Sequence, residues 1–257
     1  MNSTNSTILI IGASSGIGKE TALSFARNNW KVIACSRKLQ LLKKLSQLSL
    51  KKKYKKIEVE KLDITKENNL KINIKKIIHK YNIPDIVFLN AGTNNPNSKK
   101  IVSYKETRKL FNVNFFGIVH CIDLLIPYLE KKKNVQLVLM SSVAGYRGLP
   151  YAASYCSSKS ALTNLAESIY SQCLEKGINV RLISPGFVKT PLTDKNKFKM
   201  PMIISSIEAG EIIYRKLISS KSFEIIFPKT FCYIMKLLKY FPNFLYLKLT
   251  SKLLKKL

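Results

Sequence analysis

The run Thr7-Ile8-Leu9-Ile10-Ile11-Gly12-Ala13-Ser14-Ser15-Gly16-Ile17-Gly18 decides the fold. Its first five residues are β-prone and apolar on both parities, as a strand covered on both faces must be. A turn containing Gly12, Ser14, Ser15, Gly16, Ile17 and Gly18 follows, and a helix-periodic segment, Gly16–Asn29, opens inside it. A pyrophosphate needs close backbone approach, free N–H groups and the positive end of a helix dipole. A glycine turn between a first strand and a first helix supplies all three, and that position gives an otherwise weak motif its weight.

The same alternation continues outward. Further strands are expected at Lys31–Ser36, Lys56–Lys61, Asp85–Leu89, Val135–Ser141, Asn179–Ser184 and Phe223–Phe227. Helices are expected at Lys38–Leu50, Lys66–Tyr81, Tyr104–Lys132, Ser154–Lys176 and Ile207–Ser219. Strand and helix in strict alternation imply right-handed crossovers. The fold class is therefore α/β: a Rossmann-like, doubly wound parallel sheet of about seven strands with helices on both faces. Two polar loops that follow strands, Thr93–Lys100 and Pro185–Met202, point at a ligand crevice beyond the strand ends.

The second strand ends Cys35-Ser36-Arg37-Lys38. A dinucleotide with a free ribose 2′-hydroxyl is held by a carboxylate near this point. None is present, and Arg37 with Lys38 can receive a 2′-phosphate instead, which favours NADP(H) over NAD(H). Farther on, a Tyr-x-x-x-Lys pair occurs twice, at Tyr128/Lys132 and Tyr155/Lys159. In a chain with 12 Tyr and abundant Lys, chance alone supplies one or two such pairs. Context separates them. Tyr155 begins a long helical segment 13 residues after Ser142, which ends a buried strand, whereas Phe115 holds that offset before Tyr128. On a helix Lys159 shares a face with Tyr155. Its ammonium is expected to lower the phenol pKa from about 10 toward a working range for proton transfer, while Ser142 holds the substrate oxygen.

With these pieces in order, the chain resembles the short-chain dehydrogenase/reductase superfamily across about residues 7–228. The matching segments are Gly12 to Gly18, Leu62-Asp63-Ile64, Asn90-Ala91-Gly92, Val113-Asn114, Ser141-Ser142, Tyr155-x-x-x-Lys159 and Pro185-Gly186. The resemblance implies a carbonyl or alcohol oxidoreductase with Tyr155 as general acid/base, Ser142 as carbonyl-orienting hydroxyl and Lys159 as the ribose-binding group. It implies that Asn114 holds a water in a proton relay and that Asp63 contacts adenine. Asn90 falls to the adenosine ribose region and Pro185, Gly186 and Thr190 to the nicotinamide side, with Ala91, Gly92 and Val188 also implied in cofactor binding. Ile11 departs from the family, which usually has Thr before the first glycine. The resemblance also implies a homodimer or homotetramer built on the helices near 104–132 and 154–176.

Composition bounds the rest. A net charge of +29 raises nucleic acid as a partner, yet only six of the 44 basic residues are Arg and none cluster, so no nucleic-acid role is expected. Five cysteines without metal spacing, and two histidines, predict no metal site. The odd cysteine count and polar start predict a cytoplasmic protein without a signal peptide, so the acceptor-like Asn2-Ser3-Thr4 and Asn5-Ser6-Thr7 are coincidental. No apolar run is expected to span a bilayer. Tyr146, Leu149, Tyr151, Leu192, Phe198 and Met202 are expected to wall an apolar pocket for a lipid-like carbonyl or alcohol. Lys189, Lys195, Lys197 and Lys199 lie nearby as solvated charge or as contacts for an acidic carrier. The chain divides into a catalytic domain, 1–228, and a basic amphipathic C-terminal extension, 229–257. That extension either makes a peripheral membrane contact or caps the domain or a sister subunit. A rival to the enzyme is a catalytically silent dinucleotide-sensing or membrane-surface binding protein on the same fold.

Overall fold

The computed structural model describes residues 6–96, 100–196, 198 and 200–254, without the side chains of the last two. Asn2 to Asn5, residues 97–99 of the first loop, Lys197 and Lys199 lie outside the described residues. Seven strands form one parallel sheet: β1 (Thr7–Ile11), β2 (Lys31–Ser36), β3 (Ile57–Lys61), β4 (Ile86–Leu89), β5 (Val135–Met140), β6 (Ile178–Pro185) and, after a two-residue pair, β9 (Glu224–Phe227). Their spatial order is β3-β2-β1-β4-β5-β6-β9. The chain builds outward from β1 in one direction, then restarts at β4 on its other side. The crevice beyond the carboxyl ends of β1 and β4 is thus the topological switch point where α/β sheets bind ligands.

Alternate residues of each strand enter two separate cores, which explains why the strands are apolar on both parities. Leu9, Ile11, Val87, Leu89, Leu137 and Leu139 face α3 (Glu67–Tyr81), α5 (Gly117–Leu129) and α6 (Ala153–Glu175). Ile8, Ile10, Ile86, Phe88 and Val138 face α1 (Gly16–Arg27), α2 (Leu39–Lys51) and α7 (Ser206–Ser219). The two short strands β7 (Val188–Lys189) and β8 (Ile204–Ser205) pair in parallel and brace the second loop. At two residues each they are too short to leave a periodic signal.

Two expectations need correcting. The helix expected at 104–132 is α4 (Tyr104–Phe111), a π-helical segment (Asn112–Phe116) and α5. The wider π turn is invisible to apolar periodicity, and such turns concentrate at functional sites. Second, the continuous helix 104–129 is long and apolar enough to cross a membrane by length and composition. It instead buries Ile118, Cys121, Ile122, Leu125 and Leu129 against the sheet. In the 229–257 segment, Pro242 separates α8 (Lys229–Lys239) from α9 (Asn243–Leu254). Cys232 and Met235 of α8 pack into a small core with Val143, Tyr146, Leu149 and Ile226.

Arg147 secures the junction of these two helices. Its guanidinium donates to the carbonyls of Leu238, Lys239 and Phe241 and to Asn243 Oδ1, and it stacks 4.2 Å over the Tyr246 ring. Leu238 and Lys239 lie in the last turn of α8, where carbonyls run short of intrahelical donors.

Helices α1 and α7 meet where Gly210 lies on the α1 backbone: a Cβ there would stand 2.6 Å from the Glu20 carbonyl carbon. Gly210→Ala should therefore destabilise the protein by about 1–3 kcal/mol through overpacking. An unchanged urea midpoint would show that the two helices do not pack backbone to backbone.

Candidate active site

The turn after β1 is held by contacts within the protein. Gly12 and Ala13 N–H both donate to the Cys35 carbonyl, at 2.8 and 3.1 Å. Asn90 Nδ2, from the end of β4, donates to the Gly12 carbonyl at 2.7 Å. Gly12 has φ +100°, and a Cβ on it would lie 2.6 Å from the Ala91 nitrogen. A Cβ on Gly18 would lie 2.3 Å from the Gly12 carbonyl oxygen. These two glycines are required by the crowding of turn, helix and β4. The tight turn expected of these glycines is thus imposed by protein contacts alone, before any ligand approaches. Gly18 does not line the cleft for the same reason: it packs beneath the turn.

What the turn offers a ligand is the start of α1. Ser15 is its N-cap but makes no side-chain cap bond, and the first turn contains no acidic residue. The first N–H groups of a helix have no intrahelical acceptor, so this end suits an anion. The cleft, about 240 Å³, runs from Gly12, Ser14, Ser15, Gly16 and Ile17 past Asn90, Ala91 and Gly92 to Ser142, Tyr155 and Lys159. Arg37 and Asp63 border it near β2, and Pro185, Gly186, Val188 and Thr190 near β6. Arg37 and Lys38 are exposed and make no ion pair among the described residues. Asp63 Oδ1 accepts from Thr65 N and Thr65 Oγ1, at 3.0 and 2.7 Å, which fixes the loop after β3.

At the other end of the cleft, Ser142 follows β5 and caps a 3-10 turn, its hydroxyl accepting from Ala144 N at 3.2 Å. Tyr155 stands in the first turn of α6. Burial pushes its phenol up to about 12, opposed by the Ser142 hydroxyl beside it. Lys159, one turn on, is 3% exposed, donates to the Met140 carbonyl at 2.8 Å and is pulled down to about 8 by burial. The expected lowering of the phenol by the ammonium is therefore not the dominant effect in the protein alone. Nζ lies 5.9 Å from the Tyr155 ring centre, and desolvation outweighs it for both groups.

Asn114 lies in the π segment, fully buried behind the cleft instead of on its wall. Its amide bonds both polar atoms of the Thr93 backbone, at 2.8 and 2.9 Å, and Ser158 Oγ at 3.1 Å. It thereby joins the loop after β4 to α6, and Gly92 leaves room beside both Asn114 Oδ1 and Lys159 Nζ. The second Tyr-x-x-x-Lys pair is structural: Lys132 Nζ is ion-paired to Asp85 at 2.8 Å.

The expected pocket walls are largely corrected. Leu192 lines the cleft, but Tyr146 and Leu149 pack under α8, with Tyr146 bonded to Glu224 on β9. Tyr151 and Met202 are exposed, and Phe198 packs against Phe187. Loop residues carry no periodicity from which side-chain direction can be read. Ser36, Thr65 and Met140 also line the cleft, outside every motif that the sequence offers. Thr65, two residues after an Asp, carries the signal of an Asx turn; Met140 acts through a carbonyl, which no side-chain motif records.

The family model for short chain dehydrogenases matches residues 6–200. An uncharacterized oxidoreductase of Myxococcus xanthus is 31% identical over 92% of this chain and 93% of its own length. A 3-oxoacyl-[acyl-carrier-protein] reductase of Thermotoga maritima is 30% identical over 73% of this chain and 76% of its own. Among solved structures, a short-chain dehydrogenase/reductase of Burkholderia phymatum in complex with NAD superimposes with a TM-score of 0.80 at 18% identity, covering 92% and 94% of the two chains. An alcohol dehydrogenase of Thermococcus sibiricus complexed with 5-hydroxy-NADP gives 0.76 at 21% identity over 86% and 95%. The fold and the cleft define a dinucleotide-fold oxidoreductase. The chain belongs to the short-chain dehydrogenase family and is an enzyme acting on CH–OH and C=O groups.

The buried Lys159 gives this site a pH signature. Its folded pKa is near 8 and its unfolded value near 10.5, so the unfolded chain holds the extra proton between them. Stability should rise with pH across that window, by on the order of 3 kcal/mol relative to Lys159→Met. Denaturant titrations at the two ends of the window measure the difference, and equal pH slopes for the two proteins would contradict the burial.

Proposed function

We propose that the protein is an NADP(H)-dependent oxidoreductase that interconverts a carbonyl and an alcohol on an apolar, lipid-like substrate. The observation that carries this reading is one cleft holding an anion-suited helix start at one end and Ser142, Tyr155 and Lys159 at the other. The donor set fits the cofactor: the uncapped α1 amides suit the pyrophosphate, and Lys159 suits the nicotinamide ribose. Arg37 and Lys38, without a carboxylate at the end of β2, suit a 2′-phosphate. When bound, NADPH supplies the hydride. Within the protein, Ser142 donates a hydrogen bond to the substrate oxygen as charge develops there, and the Tyr155 phenol gives that oxygen its proton.

An ammonium at Lys159, closer to the phenol than the Met140 carbonyl now holds it, would favour the phenolate as the proton leaves. Asn114 keeps the loop after β4 at a fixed distance from α6, and with it the space beside Lys159. The binding-only alternative is not favoured, since Ser142, Tyr155 and Lys159 all line the cleft and the relatives are oxidoreductases. A lipid-derived substrate is supported by the acyl-carrier-linked substrate named for the Thermotoga relative.

Residues 1–228 form the catalytic unit in this reading, and 229–257 an extension that makes peripheral membrane contact. A homodimer or homotetramer through α4–α5 and α6 is supported by Phe116, which is exposed beside Phe111 and Phe115. Five free, buried thiols suit a cytoplasmic protein.

Tyr155→Phe should abolish nearly all NADPH oxidation with a panel of apolar ketones and aldehydes, while NADPH still raises the melting temperature. Normal turnover in that variant would end the mechanism. Arg37→Asp should shift the preference from NADPH toward NADH by at least roughly tenfold in kcat/KM, the loss of one charge-assisted phosphate contact. An unchanged ratio would remove Arg37 from the 2′-phosphate site.

A further inference from the structure

The two helices beyond β9 have more apolar surface than the domain uses. On α8, Phe231, Cys232, Met235 and Leu238 turn inward, against Val143, Tyr146, Leu149 and Ile226. A helix that packs by one apolar stripe shows solvent a polar opposite face. Here the opposite face carries Tyr233, Ile234, Leu237 and Tyr240, and α9 continues it with Phe244 and Leu247. Tyr240 is 79% exposed, Phe244 70% and Leu237 62%. Arg147 and the Tyr246 hydroxyl, which donates to the Gly148 carbonyl, anchor both helices to the loop after Ser142. The outward face is thus presented by a braced element.

Charge identifies the occupant. Residues 229–257 contain seven lysines and no Asp or Glu. Lys229, Lys239, Lys248 and Lys252 are exposed among the apolar side chains. A second copy would bring the same positive charge onto the same patch, an unfavourable pairing. An anionic lipid surface complements both features: lysine stems lie along apolar surface with their ammonium groups at headgroup level, and aromatic rings suit the interface.

We propose that the outward face of α8 and α9 docks this enzyme on an anionic lipid bilayer. This gives the peripheral contact proposed above a defined surface and a lipid charge requirement. The inner side of α8 lies directly behind the cleft: Phe231 occupies the space that a Cβ on Gly186 would need, at 2.6 Å, and Gly186 lines the cleft. Docking by this face holds the catalytic cleft one helix away from a source of apolar carbonyl compounds.

Co-sedimentation of the full chain with phosphatidylcholine vesicles, with and without about 30% phosphatidylglycerol, tests the proposal. Binding should require the anionic lipid and weaken strongly at about 0.5 M salt. Leu237→Asp with Phe244→Asp should lower vesicle affinity by at least roughly tenfold while the NADPH-dependent thermal shift is kept. Lys239→Glu with Lys248→Glu alters only exposed positions and should have the same direction of effect, which covers the case in which the apolar pair fails to fold. Equal binding to neutral vesicles, or none to either, overturns the proposal. So does an aspartate pair that lowers the oligomeric state with vesicle binding intact, which would assign the face to a second copy. The assay does not depend on turnover: a protein that binds vesicles but oxidises no NADPH would refute the oxidoreductase reading alone.

Discussion

The site depends on how closely the turn after β1 is pressed against the end of β4. Asn90 bonds the Gly12 carbonyl, the Ala91 nitrogen fills the space beside Gly12, and Gly18 lies on that same carbonyl. Any side chain at Gly12 or Gly18 would have to displace backbone. With the contact made, the start of α1 is aimed into the crevice between β1 and β4, and the loop after β4 is directed toward Asn114 and Lys159. The parallel sheet supplies the crevice, and this contact decides what faces into it.

A second set of contacts organises the chemical end. Ser142 and Tyr155 come from different elements and meet because β5 pairs with β6 in the sheet and α6 packs across that sheet face. Asn114, reaching from the π segment, fastens the loop after β4 and touches Ser158 on α6. Burial then sets the electrostatics, raising the phenol and lowering the ammonium, so each group is biased toward its neutral form before any ligand arrives. A neutral phenol costs less to keep in a dry cleft than a phenolate, and a bound charge can shift either group.

The segment after β9 adds a third layer. Through Arg147, Tyr146 and Tyr246 it is fastened to the loop that begins at Ser142. Glu224 accepts from Tyr146 and pairs with Lys236, and this joins β9, α8 and the same loop. The wall of the cleft at Gly186 is therefore backed by a helix that lies outside the seven-stranded sheet, and a change on that helix has a short mechanical route to Gly186.

By itself the sequence determined the sheet, its seven strands, the glycine turn and the Ser142, Tyr155 and Lys159 set, because strand burial, helix periodicity and motif spacing are local or nearly local properties. It also separated the Tyr-x-x-x-Lys pair that lines the cleft from the one that does not, since only Tyr155 follows a buried strand at the right offset. Only the tertiary structure decided that Gly12 and Gly18 serve packing, that Asn114 lies in a π turn, and that Tyr146 and Leu149 leave the cleft to pack under α8. It alone showed that desolvation outweighs the lysine in setting the Tyr155 pKa, and that α8 spends one apolar face on the domain and keeps another outward. Each of these depends on which surfaces meet across long sequence separations. Burial, close approach and side-chain direction in loops are fixed by that meeting and not by neighbours along the chain.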